Sequence, residues 1–329
     1  MFKTKASMKN FFTVLAIAIA STVHAQQPAQ YSMYMLNKFA FNPAYAGMDN
    51  SLSMTGVYRK QWSGLVGSPE GQNFNAHLPL YMTGGGVGLS FENESIGSWK
   101  QASFMLAYSQ QVQVGKSGIL SMGLSAGLVQ RQLDGSKVRT PGTVFVDEGP
   151  PTSHNDPILS IAMESGLGPT VNAGLFYQGE KLEAGLSAVN LLENELDLSI
   201  LKYKQQRSYF LYLGYAIDMG KSLTLHPSVL AKSDVRQTQI DFSLMARYNE
   251  NIFVGGSFRG YHSESRDAIA LFGGFKLSER ITAGLSYDLG MSELKSVNSG
   301  SYELFLNYNL GRPIGQGRPP IIIYNPRSL

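Results

Sequence analysis

Apolar residues alternate with small or polar ones in segment after segment of this chain. In one segment Leu120, Met122, Leu124, Ala126 and Leu128 occupy every second position, and only serine and glycine stand between them. The same alternation recurs in Tyr209–Ile217, Ile240–Tyr248 and Ile281–Leu289. Successive side chains of a β-strand point to opposite faces, so a period of two predicts strands with one apolar face.

Alternation alone does not separate a membrane barrel from a secreted soluble β-sandwich, which also alternates. The placement of the aromatic residues favours the barrel. In the last clear strand Tyr302 and Tyr308 lie near the two ends of an apolar band that contains Leu304 and Leu306, while Glu303 points the other way. An outward apolar band flanked by aromatic girdles, with a polar lumen behind it, is typical of outer-membrane barrels.

The connections between segments provide a second test of the barrel. We count about fourteen segments between Ser51 and Gly311, an even number, as single-chain bacterial barrels have. Every second connection is short: Tyr81–Gly84, Gly115–Gly118, Gly179–Lys181, Gly220–Ser222, Asn249–Asn251 and Ser278–Arg280. The others are mostly longer and include Lys60–Gly71, Leu133–Gly168, Leu191–Arg207 and Met291–Gly300. We therefore predict an all-β, single-chain transmembrane antiparallel barrel with long outer loops, short periplasmic turns and both termini in the periplasm.

The two ends of the chain differ from the barrel pattern. Three lysines precede the apolar run Phe11–Ala20, and Val23-His24-Ala25 supplies small residues for cleavage before Gln26, as in a secretory signal peptide. That run is shorter than the roughly 20 residues of a spanning helix, and the absence of cysteine excludes disulfides and a lipid-modified N-terminal cysteine. The predicted regions are a signal peptide (1–25), a periplasmic N-terminal segment (26–50), the barrel (51–311) and a proline-rich periplasmic tail (312–329).

Composition and motifs argue against several classes of function. The formal charge of +3 is too small to define a basic face for nucleic acid. The histidines of the mature chain are scattered without the spacing of metal ligands: His77, His154, His226 and His262. No nucleophile motif accompanies the loop pairs His154/Asp156 and His262/Glu264, and no strand-to-helix turn surrounds Gly84-Gly85-Gly86. We expect no catalytic site, no metal, no cofactor and no nucleic-acid partner.

Charged residues on the predicted lumen face leave two alternatives open. They are Glu92, Lys232, Asp241, Arg247, Arg259, Lys276 and Asp288. They either line a water-filled pore or pair with each other across the lumen and make it rigid. The two signs occur in comparable number, whereas a selective pore is lined by one sign, so we favour pairing.

An ordered set of short motifs resembles one family. The set begins with Gln30-Tyr31-Ser32-Met33-Tyr34-Met35, continues with Asn42-Pro43-Ala44-Tyr45-Ala46-Gly47, and then has Tyr58-Arg59-Lys60-Gln61-Trp62 followed by Gly64, Gly67 and Pro69. Later blocks are His226-Pro227-Ser228 with Lys232, Phe258-Arg259 before Asp267-Ala268, and Tyr287-Asp288 with Ser292-Glu293-Leu294. The set resembles the PorP/SprF family of type IX secretion and gliding-motility outer-membrane proteins.

The resemblance implies a barrel that works with a secretion machine. Such a barrel either holds a large surface adhesin or other type IX cargo by its C-terminal domain, or connects the translocon to periplasmic subunits. A passive pore or small-solute transporter is the alternative, and outer-membrane lipid is the expected surroundings in both cases. The long central connection matches no block of the family, and we expect it to carry the recognition of cargo.

The candidate partner-binding residues fall into three groups. They are Asn42, Pro43, Tyr45 and Gly47 in the N-terminal segment; Arg59, Gln61 and Trp62 at the first outer loop; and Asp147, Glu148, His154 and Asp156 in the central connection. The first group forms either a hydrophobic knot that closes the barrel mouth or a clip for a partner. Trp62 is either an anchor at the lipid boundary or a binding anchor, and the sequence does not separate these two roles.

Overall fold

The computed structural model describes residues 29–138, 162–199, 201–234, 237–260 and 267–312. The predicted signal peptide and almost all of the predicted C-terminal tail lie outside these residues. So do four of the candidate partner-binding residues, Asp147, Glu148, His154 and Asp156.

The described residues form seventeen strands. They are β1 (Ser53–Lys60), β2 (Glu70–Leu80), β3 (Gly85–Ile96), β4 (Trp99–Val114), β5 (Gly118–Asp134), β6 (Met163–Gln178), β7 (Leu182–Val189), β8 (Glu195–Leu198), β9 (Leu201–Lys204), β10 (Ser208–Tyr215), β11 (Ile217–Asp218), β12 (Leu223–Ser233), β13 (Thr238–Tyr248), β14 (Ile252–Arg259), β15 (Ala268–Lys276), β16 (Ile281–Gly290) and β17 (Ser301–Asn309).

Antiparallel pairing closes the sheet into a barrel. Apart from the separate hairpin β8–β9, neighbouring strands along the chain pair with each other, β1 pairs with β17, and β10 pairs with both β7 and β12, so the described strands leave no open edge in the barrel wall. β11 continues β10 beyond Ala216 and pairs with the same partner, β12. The barrel therefore has fourteen strands, and the predicted fold class is confirmed.

The two faces of the wall differ as the alternation predicts. Leu124 is 62% exposed on the outside, and the adjacent Ser125 is 5% exposed on the inside. In β17, Leu304 and Leu306 point outward, while Glu303 is almost fully buried. An aliphatic band of this kind is stable only against lipid. Within the described part of the chain, no helix is long and apolar enough to span a bilayer.

The wall is taller on the side formed by β3 to β6, which is called the tall wall below, than on the other side. β4, β5 and β6 have 16, 17 and 16 residues, whereas β1 has 8 and β17 has 9. About 9–11 tilted residues cross the hydrocarbon layer, so the three long strands continue beyond the membrane at the end with the long connections. That end faces the cell exterior in outer-membrane barrels, and it is called the outer end below.

Two predicted connections are more ordered than expected. The central one, predicted as Leu133–Gly168, is shorter because β5 ends at Asp134 and β6 begins at Met163. The connection predicted as Leu191–Arg207 contains the hairpin β8–β9. Leu196 and Leu198 of this hairpin are buried against Val129 and Leu133 on the inner face of the tall wall. Burial of these apolar side chains explains the extra order.

The N-terminal segment differs most from its predicted place. The sequence predicts a periplasmic segment, but its described residues 29–50 lie inside the barrel. There they form three short 3-10 helices, Tyr34–Leu36, Lys38–Ala40 and Pro43–Tyr45. The buried Tyr34 contacts Tyr212, and Phe41 stacks on Phe210. The segment is rich in apolar side chains that find apolar partners on the inner wall, which explains its position. Residues 29–50 are called the plug below.

Candidate functional site: the plugged lumen and the outer vestibule

The Asn42–Gly47 motif holds the plug to one side of the wall. The Asn42 side chain accepts a hydrogen bond from the Ala44 backbone N–H at 3.0 Å and donates to the carbonyls of Leu175 and Leu186 on two adjacent strands. The Ser121 hydroxyl donates to the Ala44 carbonyl at 2.6 Å. An asparagine suits this position because its side-chain oxygen caps the short helix while its side-chain NH2 group donates hydrogen bonds to the wall.

Glycines on the inner wall make room for this contact. A Cβ atom at Gly86, Gly123 or Gly174 would overlap the plug, at Ala46, Ala44 and Asn42 respectively. In the plug itself, Gly47 has a φ of +74° and donates its N–H to His77 Nδ1 at 3.2 Å. Only glycine adopts that backbone conformation without strain.

Carboxylates at the outer end of the wall hold the other end of the plug. The backbone N–H groups of Ser32 and Met33 both donate to the Glu303 carboxylate, at 2.6 and 2.9 Å. The Ser32 hydroxyl donates to Asp288 at 2.8 Å. Two backbone donors on one carboxylate form a charge-assisted contact that fixes the direction of the chain.

Two buried arginines compensate these carboxylates. Arg59 lies 2.6 Å from Asp288 and 3.2 Å from Glu303, and Arg259 lies 3.2 Å from Asp288 and 3.3 Å from Asp241. We call these five side chains the lumen ion network. Buried charges of one sign would be costly, and pairing removes most of that cost. The predicted pairing of lumen charges is confirmed for Asp241, Arg259 and Asp288.

The remaining predicted lumen charges differ in their surroundings. Glu92 accepts a hydrogen bond of 2.9 Å from the Tyr31 hydroxyl. Burial, together with the nearby Glu92, raises the pKa of Tyr31 well above its ordinary value, so this tyrosine stays a neutral donor. Lys276 lies exposed at the end of β15 rather than in the lumen.

The plug runs through the barrel from the outer end to the short-turn end. Its Gln30 side chain donates to Gln239 near the outer start of β13, at 2.6 Å. Its Ala46 carbonyl accepts hydrogen bonds from Ser109 and Gln111, near the end of β4 at the short-turn side. The first described residue of the chain, Ala29, therefore lies toward the outer end, and the chain enters β1 from the opposite end.

A cavity of about 890 Å³ lies between the plug and the outer part of the wall. We call it the outer vestibule. Its lining includes Tyr31 and Trp62, as well as Glu94, Trp99 and Arg131 on the tall wall. Seven glutamines also line it: Gln30, Gln61, Gln101, Gln205, Gln206, Gln237 and Gln239. Amides, charges and aromatic rings together form a polar surface with many hydrogen-bonding groups.

The structure brings several predicted candidates to this cavity. Arg59, Gln61 and Trp62 line the outer vestibule, and Asn42 and Pro43 line its deep end. Tyr45 and Gly47 lie further toward the short-turn end, where Tyr45 donates to Asp49 at 2.9 Å and packs on Phe176. Arg59 is buried in the lumen ion network rather than exposed in a loop.

Sequence reasoning missed the residues that the tall wall contributes. Glu94, Gln101 and Arg131 point inward near the outer ends of β3, β4 and β5, and the alternation of those strands was the signal that could have found them. The contact between Trp99 and Tyr203 could not be found in this way, because it forms only through the folded β8–β9 hairpin. Among the described residues, no three His, Asp or Glu side chains are close enough together to hold a metal ion.

Comparison with known proteins agrees with the motifs. The family model described as "Type IX secretion system membrane protein PorP/SprF" matches residues 23–308. No curated protein matches the chain.

Among solved structures, the outer membrane protein Omp33 of Acinetobacter baumannii has 5% identity and a TM-score of 0.46, over 79% of this chain and 98% of that one. The toluene transporter TbuX of Ralstonia pickettii has 11% identity and a TM-score of 0.48, over 85% and 93%. The monoaromatic hydrocarbon channel CymD has 12% identity and a TM-score of 0.48, over 88% and 94%. Similarity at this level carries no information on what this chain binds or transports.

Proposed function

The chain belongs to the PorP/SprF family of type IX secretion system membrane proteins, and from that premise we propose that it is a nonenzymatic outer-membrane barrel that docks a secreted protein at its outer vestibule. The partner we expect is a surface adhesin or another type IX cargo, held by its C-terminal domain. The short-turn end is free to meet translocon or periplasmic subunits. Asp147, Glu148, His154 and Asp156 of the central connection remain predicted contacts for the same partner.

One observation carries this proposal: the plug occupies the lumen, while a large polar cavity remains on its outer side. The plug is bonded to the wall at both of its ends, by Asn42 toward the short-turn end and by Ser32 toward the outer end. A passive pore requires a continuous water path, which such a plug opposes. A cavity backed by a fixed plug is instead suited to receive part of another molecule.

The test compares two tryptophan substitutions at neighbouring positions of β4. Ser103 points into the outer vestibule and lines it, whereas Ala102, the preceding residue, points outward. Ser103→Trp fills the cavity, and Ala102→Trp adds the same bulk outside it. Each tagged barrel is purified from the native membrane in detergent, and the co-purified proteins are quantified by mass spectrometry.

We expect Ser103→Trp to lose its partner and Ala102→Trp to keep it, with heat-modifiable gel migration showing that both barrels are folded. Retention of the partner by a folded Ser103→Trp barrel would contradict docking in the vestibule. Conductance tests the alternative function. A stable ohmic channel formed by the wild-type protein alone in planar bilayers would favour a passive pore.

A further inference from the structure

Three polar side chains form a row across the inner face of the tall wall. Strand pairing places Glu94 opposite Gln101, and Gln101 opposite Arg131. Adjacent strands lie about 4.8 Å apart, so an acid, an amide and a base follow each other at steps of about 5 Å. All three line the outer vestibule. We call them the charge row.

The Arg131 end of the row is held in position. Its guanidinium carbon lies 3.9 Å from the ring centre of Tyr203 and 4.9 Å from that of Trp99. Its Nη1 donates to Gln101 Oε1 at 2.9 Å and to the Tyr203 hydroxyl. The aromatic contacts and the hydrogen bonds on one side fix the position of the planar guanidinium without neutralising its charge.

Neither end of the row makes a direct ion pair within the described structure. Among the residues described, no carboxylate lies within ion-pair distance of Arg131, and its Nε has no hydrogen-bond partner. Glu94 likewise makes no ion pair or hydrogen bond with any described residue. The lumen ion network, a short distance deeper, pairs every one of its charges. Arg131 and Glu94 attract each other only at longer range, across Gln101, and a ligand with a group of matching charge at each end would pair with each of them directly.

We propose that the charge row binds an extended peptide segment, with a carboxylate of the peptide at Arg131 and an ammonium or guanidinium group at Glu94. The inference rests on the proposed docking function and names the chemistry of the docked segment. In an extended chain, side chains two residues apart lie on the same side and about 7 Å from each other. They therefore reach the two ends of a row that spans about 10 Å.

The amide and aromatic groups also favour a peptide over a carbohydrate. Gln101 stands between the two charges and offers its amide N–H to a peptide carbonyl, and the other glutamines of the outer vestibule repeat this chemistry. A carbohydrate is most often held by stacking on free aromatic faces. Here Trp99 and Tyr203 are already in contact with Arg131, and an acidic and a basic side chain at the two ends of the row match amino-acid side chains of the opposite kind.

The experiment selects peptides from a displayed library of random twelve-residue sequences, using the full-length barrel in nanodiscs. Wild type is compared with Arg131→Gln and Glu94→Gln. Lys116→Gln and Glu180→Gln serve as matched controls, because they remove the same charges from exposed turns at the opposite end of the barrel. Heat-modifiable migration shows that each variant is folded. A further variant, Arg131→Lys, keeps the positive charge but lacks the planar guanidinium.

We expect wild type and both controls to enrich peptides with an acidic residue two positions from a basic one. Arg131→Gln should lose the acidic preference, and Glu94→Gln the basic one. Selected peptides, resynthesised, should bind Arg131→Gln roughly 10- to 100-fold more weakly, the range for a lost charge-assisted hydrogen bond, with Arg131→Lys in between. Peptides made with a C-terminal acid or amide show whether the carboxylate is the chain terminus or a side chain.

Enrichment that ignores charge, or that is the same in Arg131→Gln and wild type, would overturn the charge row, and so would no enrichment at all. This result is distinguishable from failure of the proposed function. If Ser103→Trp releases the native partner while the library shows no charge preference, the vestibule docks its partner through other groups. If Ser103→Trp retains the partner, docking in the vestibule itself fails.

Discussion

Two adjacent ion pairs of β1 allow the effect of burial on a charge pair to be measured directly. Arg59 pairs with Asp288 and Lys60 pairs with Glu70, each at 2.6 Å. The first pair is inside the barrel, with side chains 4% and 1% exposed, and the second is at the surface, with side chains 40% and 37% exposed. The substitutions Arg59→Leu and Lys60→Leu each remove one cation and leave a carboxylate behind.

The expected cost of Arg59→Leu follows from what it leaves behind. Asp288 keeps Arg259, but Glu303 then has no cation partner among the described residues. Breaking a buried pair by removing one partner costs about 3–5 kcal/mol, since the remaining charge stays desolvated. Water replaces the partner of an exposed carboxylate at little cost, so Lys60→Leu should leave the unfolding midpoint unchanged.

Urea unfolding in liposomes measures the loss of stability in each leucine variant. Cysteine labelling measures whether the plug becomes accessible. The natural sequence contains no cysteine, so Met33→Cys is a single, buried reporter beside the contact with Glu303. We expect slow maleimide labelling in the wild-type and Lys60→Leu backgrounds and faster labelling with Arg59→Leu. Equal stability losses in the two leucine variants would refute the argument from burial. A loss of stability without faster labelling would show that the lumen ion network braces the wall rather than the plug.

Three further predictions follow from the wall and the plug. Leu124→Arg places a charge against lipid and should cost about 2–4 kcal/mol in the same unfolding assay. Ser125→Arg points into the lumen instead and should show a different loss of stability. Equal small losses for both variants would mean that Leu124 does not face lipid. On intact cells, a tag directly before Ala29 should be labelled and a tag at Lys116 protected, and the reverse pattern would invert the topology. Deletion of residues 29–47 should convert a non-conducting barrel into a conducting one in planar bilayers, and unchanged conductance would show that the plug does not block the lumen.

The wall could be predicted from the sequence because its signal is local. Each strand carries its own period of two, and each short turn carries its own glycine, serine or asparagine, so β5 and its turn at Gly115 are readable without knowledge of any partner. The β8–β9 hairpin is harder to predict. Its strands have only four residues each, and its order depends on Leu196 and Leu198 packing against a wall that is distant in sequence.

The plug could not be placed from the sequence because its position depends on contacts between residues that are far apart along the chain. Ser32 bonds Glu303, 271 residues away, and no local pattern around Ser32 refers to that partner. The glycines of the inner wall do carry a signal. Gly86, Gly123 and Gly174 occupy inward positions where a water-filled lumen would accept any small polar side chain, and each lies against the plug. Inward glycines clustered on neighbouring strands therefore indicate a filled lumen, and the same reasoning applies to any barrel whose alternation is known but whose terminal segments are unplaced.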